Sequence, residues 1–366
     1  MSTRHVKPPA LSEFDAVFAS LGQRRGALVI GNDAFVIGGR DTMNRKIAAF
    51  HVGIVFLASG HFADAQEAHR IGLVSPSSAS AMALRVEAFR QGLREFGYIE
   101  GQNITIEYRW GEGKDERVTE LVSELVSLNV GILATHGVVA TIAARDASPK
   151  IPVVCFDCGD LVSTGVIKSL ARPGGNVTGV TLIHPETSTK RLELLKEIVP
   201  DLTRLAVLYN SKNPVSQPEL ESTQAAGSSL SLQLQSIGLK DPSELESAFS
   251  SMTRERADAL IVLSDAMFLG RRKQIAELAA VNRLPTIFWT GEYAKVGGLI
   301  GYGPDGLELA RRAAGYVHKI LKGAKAGDLP VEQPTKFALT INQTTAKALG
   351  LAIPHSILLR ADEVIE

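Results

Sequence analysis

The stretch Val130–Phe156, VGILATHGVVATIAARDASPKIPVVCF, decides the fold class. Val130–Ala134 is an apolar run of strand length, and Thr135-His136-Gly137 ends it. Val138–Asp146 then reads as a helix, and a second apolar run, Ile151–Phe156, reads as the next strand. A strand, a helix and a strand in succession build a parallel sheet with helices on its faces. The pattern continues upstream. Arg70–Val74 is a short apolar run that breaks at Ser75-Pro76-Ser77-Ser78. Met82, Val86, Phe89, Leu93 and Phe96 follow at helical spacing, and Gly97 stands where a helix C-cap belongs. A strand over Asn103–Tyr108 and a helix over Glu116–Leu128 lead back to Val130.

Downstream the series stops in Asp160–Gly179, where Arg172-Pro173-Gly174-Gly175-Asn176 concentrates turn formers. It then restarts. Helices are expected over Ser188–Val199, Pro218–Ser228, Pro242–Thr253 and Gly270–Val281. Strands are expected over Arg204–Tyr209, the alternating Leu230, Leu232 and Leu234, Ala259–Leu263 and Pro285–Trp289. Two such series imply an α/β fold of two doubly wound parallel-sheet lobes. The remaining segments mix the lobes: an extended crossing segment Gly297–Tyr302, a long helix Asp305–Leu321, a Gly/Lys linker Lys322–Pro330 and a final strand Lys336–Ile341. A terminal helix is expected from Asn342, a plausible N-cap, to Gly350.

Composition narrows the function. The 366 residues carry 39 acidic and 39 basic side chains, so neither nucleic acid nor a membrane surface meets a basic field. The only cysteines, Cys155 and Cys158, exclude a disulfide scaffold; extended backbone holds them too far apart to bridge, and a turn at Asp157 would bring them together. From Met43 the chain reads Asn44-Arg45-Lys46, an apolar stretch Ile47–Leu57, then Ala63-Asp64-Ala65. That is the grammar of a secretory signal peptide over 43–65, too short for a stable membrane anchor. The expected location is therefore periplasmic. Residues 1–42 then have no place before it and read as a non-native or disordered extension, with Met43 as the true start.

Several motifs fail on context. Gly301-Tyr302-Gly303-Pro304-Asp305-Gly306 spells a dinucleotide fingerprint, but Asp328 sits in a Gly/Lys turn instead of at a second strand tip. The eight histidines form no H-E-x-x-H or comparable cluster. No G-x-S-x-G elbow or G-x-x-x-x-G-K-[ST] loop occurs. No cofactor and no enzymatic activity are expected.

From Phe89 onward the chain resembles the ABC-transporter substrate-binding proteins of the tryptophan/tyrosine type. The stretches that carry the likeness are Phe89-Arg90-Gln91-Gly92-Leu93, Gly101-Gln102-Asn103-Ile104 and, most specific, Ser169-Leu170-Ala171-Arg172-Pro173-Gly174-Gly175-Asn176-Val177-Thr178-Gly179. Gly297-Gly298-Leu299, Tyr302-Gly303-Pro304-Asp305 and Ala361-Asp362-Glu363-Val364-Ile365 extend it to the end of the chain. The resemblance implies a type I periplasmic-binding-protein fold that closes on a small solute and delivers it to a membrane ABC permease. By analogy, lobe one takes 68–178 plus 300–328 and lobe two takes 179–299 plus 329–366. An amino acid or related small carboxylate is the implied ligand, and a monomer the expected state. A ligand-sensing module and a cleft enzyme are the competing classes.

In such sheets ligands bind beyond the carboxyl ends of strands, where helix N-termini receive carboxylates. Ser77 and Ser78 before the first helix, and Thr135, His136 and Gly137 before the third, stand at those positions; plain helix capping is the alternative role. Asp160, Asp265 and Glu292 each follow a strand and are candidates for an ammonium group. Trp289 and Tyr302 are candidates for stacking on a planar group, or else core residues at strand ends.

Overall fold

A computed structural model describes residues 69–182 and 184–366. The expected extension over 1–42 and signal segment over 43–65 lie outside the described residues. Lobe one opens with β1 (His69–Ser75), α1 (Ala79–Glu95), β2 (Ile104–Trp110) and α2 (Val118–Ser127). It continues with β3 (Ile132–His136), α3 (Val138–Ala147), β4 (Val153–Cys158) and β5 (Val177–Thr181). Its five strands are parallel, in the order β2-β1-β3-β4-β5.

Lobe two contains α4 (His184–Ile198), β6 (Arg204–Asn210), α5 (Ser216–Ser229), β7 (Gln233–Leu239) and α6 (Leu245–Arg254). β8 (Ala259–Val262), α7 (Ala266–Gly270), α8 (Arg272–Val281), β9 (Thr286–Phe288) and β10 (Ile300–Gly303) follow. The chain then returns to lobe one for α9 (Gly306–Leu321). It comes back to lobe two for β11 (Ala338–Asn342), α10 (Gln343–Leu349), α11 (His355–Leu358) and β12 (Glu363–Ile365). The second sheet runs β12-β11-β10-β9-β8-β6-β7, and its β10–β11 pair is antiparallel, a departure from a purely parallel lobe; β11 is not the final strand, because Glu363–Ile365 pairs with it in parallel as β12.

Each sheet has apolar clusters on both faces, which is what doubly wound connectivity requires. In lobe one, Met82, Phe89 and Leu93 of α1 share a cluster with Leu309, Ala313 and Val317 of α9. The opposite cluster holds Val118, Leu121 and Leu125 of α2 with Cys155 and Cys158. In lobe two, Leu192 and Leu195 of α4 pack with Ile341 and Ile357, while Phe249, Met252 and Ile275 fill the other face. Burial of one such side chain contributes about 1.5–3 kcal/mol. Phe96, read as part of the buried stripe of α1, is exposed; it lies past the last helical turn and stacks on His318.

Several boundaries differ from the sequence reading. Strand 300–303 belongs to the second sheet, because its Ile300 pairs with both Ile287 and Ile341. Residues 329–331 stay with lobe one: the Leu329 carbonyl accepts from Thr178 Oγ1 at 2.8 Å and Val331 N donates to Leu170 O at 2.8 Å. β5 ends at Thr181, past the expected junction at 178. The strand expected over Leu230–Leu234 begins instead at Gln233, because Leu230 caps α5 and Ser231 turns through φ 58°. The helix expected over Gly270–Val281 is split at Arg271 into α7 and α8. Both cysteines are buried free thiols. A bulge between them gives Asp157 φ 53°, and Cys158 accepts or donates a contact with Thr141 Oγ1 at 3.3 Å.

Candidate functional site

The carboxyl ends of both sheets face each other across a cleft. Pro76, Asp115, His136–Val139, Asp157 and Gly159 line it from lobe one, and Asn213, Val215, Ser264–Ala266, Leu269 and Trp289 from lobe two. Between these walls the cavity measures about 30 Å³, room for about one water molecule, so the walls part to admit a solute. The lobes touch around it. Ser77 Oγ donates to the Ala266 carbonyl across the cleft. Asn210 Nδ2 donates to Asp115 Oδ2 at 2.9 Å. The cleft is therefore shut.

On the lobe-one wall, β3 runs into α3 through Gly137, whose φ of 81° is a conformation that an L side chain rarely adopts. The first turn of a helix carries N–H groups without intrahelical acceptors, and here Val138 and Val139 of that turn face the cavity. His136 is fixed beneath it: Ser75 Oγ lies 2.9 Å from Nδ1, and Asp157 Oδ2 lies 3.3 Å from Nε2. With Nε2 donating to the carboxylate, Nδ1 accepts from the Ser75 hydroxyl. Burial alone would raise the Asp157 carboxyl, but the Arg85 charge and the His136 contact outweigh it and hold it well below the usual range.

On the lobe-two wall, Asp265 caps α7, accepting from Met267 N at 2.7 Å. Its other oxygen accepts from Asn213 Nδ2 at 2.7 Å and Asn210 Nδ2 at 3.0 Å. Burial, and then the charge of Asp115 across the cleft, push its carboxyl up to about 7. Asp115 is raised as well, by burial first, with the Asn210 hydrogen bond opposing. Asn210 thus spans two carboxylates from different lobes.

Of the residues singled out in the sequence, His136, Gly137, Asp265 and Trp289 meet at this cavity. Ser77 contributes to the lobe contact, whereas Ser78 caps α1 through Ala81 N at 3.3 Å. Thr135 is buried behind the wall on Thr141 Oγ1 at 2.8 Å. Asp160 turns away: its Oδ1 accepts from Val162 N at 2.9 Å and Ser163 N at 3.0 Å, closing the turn that follows the β4 bulge. Glu292 lies beside Arg85. Tyr302 packs on the core of lobe two and stacks with Phe337, because β10 is a strand of that sheet. The sequence reading missed Asp115, Asp157, Asn213 and Val215. Asp115 follows a strand and a Gly-rich turn, a signal of the kind used for Asp265; Asp157 had none, being inside an apolar run.

A family model described as ABC transporter substrate binding protein matches residues 70–365. The chain belongs to that family. A tyrosine-binding protein of Clostridioides difficile is 26% identical over 288 residues, covering 79% of this chain and 83% of the relative. The structure of an ABC domain in complex with L-Trp from Streptococcus pneumonia superposes with TM-score 0.76 at 26% identity, covering 81% of this chain and 99% of the other. A conserved domain protein of Vibrio cholerae gives TM-score 0.77 at 24% identity, covering 81% of this chain and 100% of that one. The two-lobed type I periplasmic-binding-protein fold is thereby established, and the protein is the solute-binding component of an ABC transporter. Members of the family bind solutes outside the cytoplasm for a membrane permease. Among the described residues no helix is long and apolar enough to cross a membrane.

Proposed function

We propose that the solute is an α-amino acid with an aromatic side chain. The observation that carries this reading is the pair of carboxylates, half-buried Asp115 and buried Asp265, facing one cavity from opposite lobes. A primary ammonium placed between them neutralises the charge that burial penalises. In the same cavity, the first turn of α3 offers N–H groups and the positive end of the helix dipole to a carboxylate. Trp289, only 3% exposed and at the cavity wall, supplies an aromatic face. The tyrosine-binding and L-Trp-bound relatives point to the same class of ligand.

Calorimetric titration with L-tyrosine, L-tryptophan and versions of each lacking the amino or the carboxyl group tests the reading. Binding of the intact amino acids, with loss of more than tenfold for either truncated form, is expected. Equal affinity for the forms lacking the amino group would remove Asp115 and Asp265 from ligand recognition. The signal-peptide grammar of 43–65 further supports synthesis from Met43, release after Ala65 and work in the periplasm, and a monomer is the state we propose for it. Amino-terminal sequencing and the solution mass of the secreted protein check both points; a mature chain that keeps residues before Met43 contradicts the first, and a dimer mass the second.

A further inference from the structure

Arg85, on α1, is 1% exposed, an unusual place for a guanidinium. Two carboxylates hold it. Asp157 of lobe one accepts from Nε at 3.2 Å and lies 3.1 Å from Nη2. Glu292, in the loop after β9 of lobe two, places Oε1 2.5 Å from Nη1 as an ion pair. A third body closes the arrangement. Gly306, where the chain crosses back from β10 into α9, leaves so little room that a Cβ there would overlap Nη2. Lobe one, lobe two and a crossing segment therefore converge on one charge. Among the described residues, the other ion pair between the lobes, Lys212 with Glu116 at 3.6 Å, has both side chains about half exposed, where such pairs contribute little.

We propose that Arg85 and Glu292 form a latch that holds the cleft shut and sets how slowly a captured solute escapes. Asp157 is the fixed member. It keeps Arg85 paired in either state of the cleft, so opening never strands a buried guanidinium. Glu292 is the moving member. Its side chain is 14% exposed in the shut cleft, and opening returns it to water. The attraction across the cleft exists only once the lobes have met, so it acts on dissociation and leaves the encounter untouched. Arg85 and Glu292 do not line the cavity and so act as positioning residues, not as ligand contacts.

The test uses the full chain carrying Glu292→Gln, which keeps the side chain's size and removes its charge. L-tyrosine is the probe, followed by stopped-flow tryptophan fluorescence, since one of the two tryptophans lines the cleft. The expected result is an off-rate about tenfold faster with an on-rate within twofold, and Arg85→Lys should fall between the variant and wild type. An equal loss in both rates, or none in either, overturns the latch. A ligand-free measurement separates this outcome from failure of the amino-acid reading. Spin labels at Arg117→Cys and Lys240→Cys report the lobe separation, the native cysteines being buried. In the ligand-free protein the open cleft dominates, and Glu292→Gln should empty the minor short-distance population while leaving the main one in place. If L-tyrosine does not bind wild type, the ligand reading fails and the short-distance population alone decides the latch; identical distributions then overturn it.

Discussion

Asp265 concentrates the chemistry of the site in one carboxyl group. Its ordinary value is 3.8, and burial with the Asp115 charge lifts it to about 7. The folded protein therefore keeps a proton between these values that the unfolded chain releases. Stability from this group is present below about pH 4, declines as pH rises through the window and is lost above about pH 7. An ammonium between the two carboxylates restores it without the proton. Asp265→Asn should thus match wild type in melting temperature at pH 4 without ligand and exceed it at pH 8. It should also weaken L-tyrosine binding more than tenfold. Thermal melts across pH check the sign; a variant less stable than wild type at pH 8 would mean that the charge is stabilised by partners already present. Asp265 was legible in the sequence because a strand tip directly precedes a helix there. Asp157 was not, because only the bulge at φ 53° turns a residue within an apolar strand toward the cleft. Asp160, three positions on, had the visible signal and instead closes a turn.

At the scale of elements, β10 shows how a sequence motif acquires its physical meaning from its neighbours. Gly301 and Gly303 spell part of a nucleotide-binding fingerprint, and the structure gives them another task. A Cβ at Gly303 would overlap the Trp289 carbonyl oxygen, and one at Gly301 would overlap the Thr290 carbonyl oxygen. Both glycines let the crossing strand lie against the end of β9, which carries Trp289 to the cavity. Gly303→Ala should therefore destabilise the protein by about 1–3 kcal/mol, as overpacking does, and weaken solute binding by displacing Trp289. Urea denaturation and titration of the same variant check the two effects, and an unchanged midpoint would show that the strand gives way freely. Elements with local signals were legible. The α10 helix starts at Asn342, whose side chain accepts from Thr345 N, and stops at Gly350 in left-handed conformation. The start of β7 was not, because the three alternating leucines there serve a helix end and an edge strand together.

For the whole molecule, paired βα series were enough to foresee two lobes, but not where the chain changes lobe. That depends on which strand finds an open sheet edge, a long-range matter that composition and spacing do not encode. The consequence is energetic. Each lobe has its own apolar clusters, so each can lose its structure separately, and three crossings with a few cleft contacts tie them together. A solute held by Asp115 of one lobe and Asp265 of the other adds a tie that exists only while both lobes are folded. At about 100 times its dissociation constant it stabilises the folded state by about 2.7 kcal/mol. Scanning calorimetry of the ligand-free protein should accordingly resolve two overlapping transitions, and saturating L-tyrosine should merge them into one at higher temperature. If the solute raised one transition and left the other in place, it would be bound by a single lobe, and closure of the cleft would not be the act of capture.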